Sequence, residues 1–93
     1  MSDMKKAVIS ILGQDRKGII ANVTRILYDY DVNILDISQT ILSGLFNMIL
    51  IADISSEHCV FDQLKESLEE EGRRMNLQIR VQRSEIFEAM YQV

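Results

Sequence analysis

The sequence has no proline, no tryptophan and a single cysteine among its 93 residues. One cysteine can form neither an internal disulfide nor a multi-cysteine metal site, so both are excluded. The chain also lacks low-complexity stretches, and its 47% hydrophobic and 26% charged content is typical of a globular protein. Its longest apolar run covers residues 48–52, which is far short of the roughly 20 residues needed to span a membrane.

An excess of positive charge is lacking as well. Ten basic and fourteen acidic residues give a net charge of −4, which argues against a direct nucleic-acid-binding surface. The length corresponds to one domain, 1–93, and a chain of this size buries only about 60–65% of its unfolded surface. A partner subunit can therefore matter for stability. No cleavable leader is recognisable, and we expect a cytoplasmic protein.

Hydrophobic periodicity predicts four strands and two helices. The predicted strands cover residues 4–12, 33–42, 45–54 and 76–83. The first helix is expected between Gly18 and Asp31, and the second between the capping serines 55–56 and Gly72. Residues 84–93 repeat apolar side chains at helical spacing, which predicts a short docked C-terminal helix.

The order β-α-β-β-α-β predicts an α+β, ferredoxin-like sandwich with antiparallel sheet order 4-1-3-2, which is 2-3-1-4 read from the other edge. Two right-handed crossovers place the first and third strands at the centre. Those two strands are apolar on both faces, whereas the second and fourth alternate, so local pattern and topology agree. On the second strand, the predicted apolar face contains Leu35, Ile37 and Ile41.

Two predicted helices cover only one face of such a sheet. The apolar residues on the other face of the central strands imply that something covers it as well. Either the segment 84–93 or another subunit can do so, and the sequence leaves both open.

Residues Gly13 to Gly18 form a glycine-bracketed turn before the first helix. The glycine spacing is that of a phosphate-binding loop, but Ile19 and Ile20 stand where Lys and Ser/Thr are required. Such a helix start still offers unpaired N–H groups that can hold an anion such as a carboxylate. Alternatively, Asp15 simply caps its own helix.

Catalytic and metal-binding constellations are not recognisable. His58 is the only histidine and Cys59 the only cysteine. Because they are adjacent in sequence, their side chains would not converge on one substrate atom. A metal site would need more ligands at suitable spacing. RNA-binding sheets of this topology need several exposed aromatic residues on the central strands, but Phe46 is the only aromatic residue on those strands here. We therefore expect no enzyme, no cofactor and no metal.

The segment 15–23, together with Leu27 and the segment 33–39, resembles the ACT domain. ACT domains commonly carry Asp-Arg-Pro-Gly before the first helix and an Asn-Ile pair opening the second strand; here Lys17 replaces the proline. The resemblance covers residues 7–83. The whole chain looks like a small free-standing ACT domain with a core at 4–83, and it is similar to the ACT domains of the glycine cleavage system transcriptional repressor and formyltetrahydrofolate deformylase.

This resemblance implies pairing into dimers and the binding of amino acids or related metabolites at domain interfaces. In amino-acid-binding members, the first loop and an Asn at the start of strand two of a neighbouring domain contact the ligand. The candidate ligand-binding residues are Gly13, Gln14, Asp15, Arg16, Lys17, Gly18, Ile19, Asn33 and Asp36. The loop N–H groups would hold a carboxylate, and one of the two aspartates would pair with an ammonium group. Alternatively, Asn33 only serves a turn.

Two functions are therefore expected to compete. The first is a regulatory module, a homodimer or higher oligomer, that senses an amino acid or related metabolite and acts in trans. The alternative is a ligand-free interaction or assembly subunit that modulates a partner enzyme or transcription factor.

Overall fold

The computed structural model describes residues 5–84 and contains six elements in the order β-α-β-β-α-β. They are β1 (Lys6–Gln14), α1 (Ile19–Asp29), β2 (Asn33–Leu42), β3 (Leu45–Asp53), α2 (Phe61–Met75) and β4 (Leu77–Arg83). The strands form one antiparallel sheet in the order β2-β3-β1-β4. The predicted fold class and strand order are confirmed. The C-terminal helix expected at 84–93 lies, beyond Ser84, outside the described residues.

The core lies between one face of the sheet and the two helices. The largest fully buried side chains are Ile9, Ile11, Ile19, Val23, Leu27, Met48, Leu50, Leu64 and Leu68. On the other face of β1, Val8 is 6% exposed and Leu12 is 41% exposed. Within residues 5–84, no helix is both long and apolar enough to cross a membrane.

The edge strand β2 contains a β-bulge. Its register against β3 shifts between Ile34 and Asp36, so Leu35 has no residue opposite it, and the unbroken alternation predicted for this strand is wrong there. Beyond the bulge, Ile37 and Ile41 share the face of the buried β3 residues opposite them. They remain 44% and 52% exposed because β2 lies at the edge of the sheet.

The predicted start of α2 is wrong. Ser55 and Ser56 do not cap this helix, which begins at Phe61 after the extended residue Val60. The Ser56 hydroxyl is instead engaged in the preceding loop, where it accepts a hydrogen bond from the His58 N–H (3.1 Å) and donates one to Asp31 Oδ2 (2.6 Å). Sequence alone could not reveal this because Asp31 is 25 residues away.

The predicted end of α2 is also wrong. Gly72 lies inside the helix and is buried, and the helix continues to Met75. A Cβ at Gly72 would lie 2.9 Å from the carbonyl oxygen of Leu77 and 3.1 Å from Cγ1 of Ile79. Glycine is therefore placed here for close helix–strand packing. Asn76, with φ 58°, supplies the left-handed residue that ends the helix.

Candidate functional site

The loop between β1 and α1 ends on a glycine whose backbone requires it. Gly18 has φ 91° and occupies the N-cap position of α1 without a side-chain hydrogen bond to the helix. The alternative that Asp15 caps the helix is therefore wrong. A Cβ at Gly18 would meet only Nδ2 of Asn22, at 4.0 Å, so the surface of the loop is open here. The uncapped N–H groups can receive an anionic acceptor.

Two hydrogen bonds hold this loop in place. The Asp15 N–H donates to the carbonyl oxygen of Gly44 in the β2–β3 turn (2.8 Å). The Arg16 guanidinium donates to the carbonyl oxygen of Met75 (3.2 Å), at the negative end of the α2 dipole. A cavity of about 240 Å³ lies between the loop and the end of α2, lined by Gln14, Asp15, Arg16, Met75 and Asn76. Its two helix-end residues were missed because only the tertiary fold brings them to the loop.

The remaining loop residues differ in what they can offer a ligand. Gly13 lies within β1, and a Cβ there would approach Cδ2 of Leu77 to 2.5 Å, so packing against β4 accounts for this glycine. Lys17 is exposed in the turn. Ile19 is 2% exposed, and its side chain belongs to the core. Ile19 can therefore contribute only backbone to a site.

Asn33 and Asp36 lie away from the loop in the same chain. Asn33 pairs with Asp53 at the end of β3, whereas Gln14 pairs with Leu45 at its start. The eight residue steps between these positions correspond to about 27 Å along the strand. The Asp36 carboxylate accepts a hydrogen bond from the Ile37 N–H (2.9 Å). One chain does not bring the two halves of the candidate site together.

The strand that carries Asn33 is open along its outer side. Among the described residues, β2 pairs with β3 alone, which leaves a ten-residue edge with unpaired backbone groups. The exposed apolar residues on and beside this edge are Leu35, Ile37, Ile41, Leu42, Leu45 and Ile49, of which Leu42 is 76% exposed. This edge is suited to pairing with another strand.

A polar contact between the two helices lies close to the start of α1. Asn22 Nδ2 donates to Glu71 Oε2 (3.0 Å), and Glu71 also forms an ion pair with Arg74. The hydrogen bond from Arg74 is the main cause that lowers the pKa of Glu71, against the opposing effect of burial. Glu71 is therefore ionised at neutral pH and ties α1 to α2 behind the loop.

The loop before α2 shows no convergence of reactive groups. Burial, and then the negative charge of Asp31, raise the pKa of the Cys59 thiol, so it is held in its poorly nucleophilic protonated form. Within residues 5–84, no group of three side chains suited to holding a metal ion occurs.

Comparison with known proteins agrees with this architecture. The family model of the ACT domain matches residues 5–82. A UPF0237 protein of Methanocaldococcus jannaschii is 43% identical over 90 residues, covering 97% of this chain and all of that protein. An ACT domain protein from Streptococcus pneumoniae has a TM-score of 0.78 and 34% identity, over 92% of this chain and 97% of that one.

More distant structures share the fold alone. A glycine cleavage system transcriptional repressor has a TM-score of 0.77 and 23% identity, over 88% of this chain and 47% of that one. A formyltetrahydrofolate deformylase from Pseudomonas syringae has a TM-score of 0.80 and 22% identity, over 90% of this chain and 29% of that one. The predicted resemblance is confirmed. With a family model matched over residues 5–82 and the expected strand order observed, this chain belongs to the ACT domain family.

Proposed function

We propose that this protein is a regulatory module that binds an amino acid or related metabolite between two of its copies and acts in trans in the cytoplasm. The ACT domain is a regulatory ligand-binding module, which supports the regulatory part. One observation supports a site between two copies: Asn33 lies at the opposite end of the sheet from the uncapped start of α1. A site that uses both must take them from different chains.

The open edge of β2 offers a symmetric way to join them. In an antiparallel pair of β2 strands whose two-fold axis passes through the middle of the strand, Asn33 of one copy would lie near Leu42 of the other. Leu42 adjoins the β2–β3 turn, to which the loop is tied through the hydrogen bond from Asp15 to Gly44. The pairing would bury exposed apolar side chains of the edge and complete two equivalent sites.

The chemistry of such a site suits a zwitterion. The first N–H groups of α1 would hold the carboxylate, and the exposed Asp15 would pair with the ammonium group. The Asn33 side chain of the second copy can donate and accept hydrogen bonds at once. Asp36, on the same strand as Asn33, offers a second carboxylate. A ligand that bridges two copies favours the dimer by mass action, which is the signal transmitted to a partner enzyme or regulator.

Calorimetric titration of the full chain with each of the twenty amino acids tests the proposal. Saturable binding of at least one, weakened by Asn33→Ala, is the expected result. Asn47→Ala is the matched control, since Asn47 is an exposed amide on β3 rather than on β2. Silence across the panel would remove amino acids as ligands. Unchanged affinity in the Asn33 variant would remove the site named here.

The apolar edge also favours a second candidate function, a ligand-free subunit that assembles through β2 and modulates a partner enzyme or regulator. Leu42 and Leu45 are exposed beside each other at the end of the β2–β3 hairpin. A stable dimer in sedimentation velocity, combined with silence in every titration, would support it. Ligand-dependent dimerisation would exclude it.

A further inference from the structure

A second cavity lies at the opposite end of the sheet from the α1 loop. It has a volume of about 340 Å³ and forms where β1 begins, β3 ends and α2 starts. Specific ligand pockets begin at about 300 Å³, so a small metabolite would fit. Nothing in the proposed amino-acid site uses this cavity.

Positive charge is concentrated around this cavity in a chain of net charge −4. Lys5, Lys6 and Arg83 line it together with one carboxylate, that of Glu57. Asp53 lies opposite Lys6 in the sheet and offsets part of its charge. Among residues 5–84, the ion pairs involve other residues, so no carboxylate lies within 4.0 Å of the charged groups of Lys5 or Arg83. Within this part of the chain, the charged groups of Lys5 and Arg83 can therefore donate to a bound anion.

The frame that carries these cations is well fixed. The guanidinium carbon of Arg83 lies over the ring of Phe61, the first residue of α2, at 4.7 Å from the ring centroid. Such a cation–π contact requires none of the guanidinium N–H groups as hydrogen-bond donors. The Lys5 N–H donates to Ser55 Oγ (2.7 Å), and the Lys5 carbonyl oxygen accepts from the Ile54 N–H (2.8 Å). The loop after β3 is therefore held against the start of β1.

We propose that this cavity binds the phosphate group of a small phosphorylated metabolite, as a second ligand site of the domain. A fixed guanidinium and an ammonium group on one cavity are the donors that recognise phosphate oxygens best. The amino end of α2, which receives no side-chain cap, adds a partial positive charge on the same side.

The test is a titration of the ¹⁵N-labelled full chain with inorganic phosphate and, separately, with glycerol 3-phosphate, followed by amide chemical shifts at constant ionic strength. Saturable shifts centred on Lys5, Ser55 and Phe61 are expected with both probes. Lys5→Gln and Arg83→Gln should each weaken binding at least about tenfold, because each removes a charge-assisted hydrogen bond. Arg80→Gln is the matched control, since Arg80 lies on the same strand but on its opposite face.

The Lys5 variant keeps the test decisive if loss of the Phe61 contact destabilises the Arg83 variant. Shifts that sodium chloride reproduces would show charge screening only and overturn the proposal. Saturable shifts confined to Arg16–Ile19 would place the phosphate at the other end of the sheet and overturn it equally, as would full affinity in both variants.

Discussion

Replacing Gly72 by alanine should destabilise the protein, although alanine is normally the better helix residue. The intrinsic propensity of alanine over glycine favours the substitution by about 1 kcal/mol in a helix interior. Against this, the new Cβ would lie 2.9 Å from the Leu77 carbonyl oxygen and 3.1 Å from Ile79 Cγ1. Overpacking of this kind costs about 1–3 kcal/mol, and the first contact is backbone, which cannot rotate away.

Because the closest contact is with backbone, the steric cost should lie in the upper part of this range, about 2–3 kcal/mol, which leaves a net loss of about 1–2 kcal/mol. For a domain of this size, that lowers Tm by at least about 4 °C, which calorimetry or thermal circular dichroism resolves. Glu66→Ala is the control in the same helix, because Glu66 is exposed and its replacement should leave Tm nearly unchanged. A Gly72 variant that melts at or above the parent temperature would refute the close packing of α2 on β4 described above.

Two further predictions concern assembly and pH. Ile41→Lys places a charge on the exposed β2 edge, so it should shift the sedimentation coefficient toward that of a monomer and abolish amino-acid binding. The control Tyr28→Lys, at an 83% exposed position on α1, should change neither property. An unaltered dimer in the Ile41 variant would exclude this edge as the interface. The lowered pKa of Glu71 stabilises the fold above its ordinary value of about 4.5, and that stability is lost as pH falls through the lower folded value. Urea unfolding of Glu71→Gln should therefore show reduced stability at pH 7 and a flatter decline toward pH 3, and a parallel decline in both proteins would contradict the role of Glu71.

Local pattern was sufficient to predict the sheet and its strand order. The order of strands follows from the β-α-β-β-α-β succession and its two right-handed crossovers. The hydrophobic pattern agrees, because the two strands that are apolar on both faces are the central ones, while an edge strand can keep one face wet. The inner face of α1 was readable for a similar reason. Val23 and Leu27 repeat at the helical period, and the structure buries both completely or nearly so.

Long-range contacts decided what the pattern could not. The serines at 55–56 carry the chemistry of a helix cap, but the Ser56 hydroxyl is taken by the distant Asp31. Gly72 carries the signature of a helix stop, but its missing Cβ makes room for the backbone of β4. In both cases the predicted role of the residue was wrong, because the group that it contacts in the fold is remote in sequence.

The candidate site divides in the same way. By itself, the sequence determined that a glycine-bracketed loop precedes α1 and that Asn33 opens β2, since turns and strand starts are local features. Only the tertiary structure decided that Gly18 leaves the helix uncapped and that Arg16 is hydrogen-bonded to Met75. It also decided that Asn33 lies about 27 Å along the sheet from the end of β1 that leads into the loop. The physical reason is that chain topology, which residue spacing does not express, sets which ends of the strands meet.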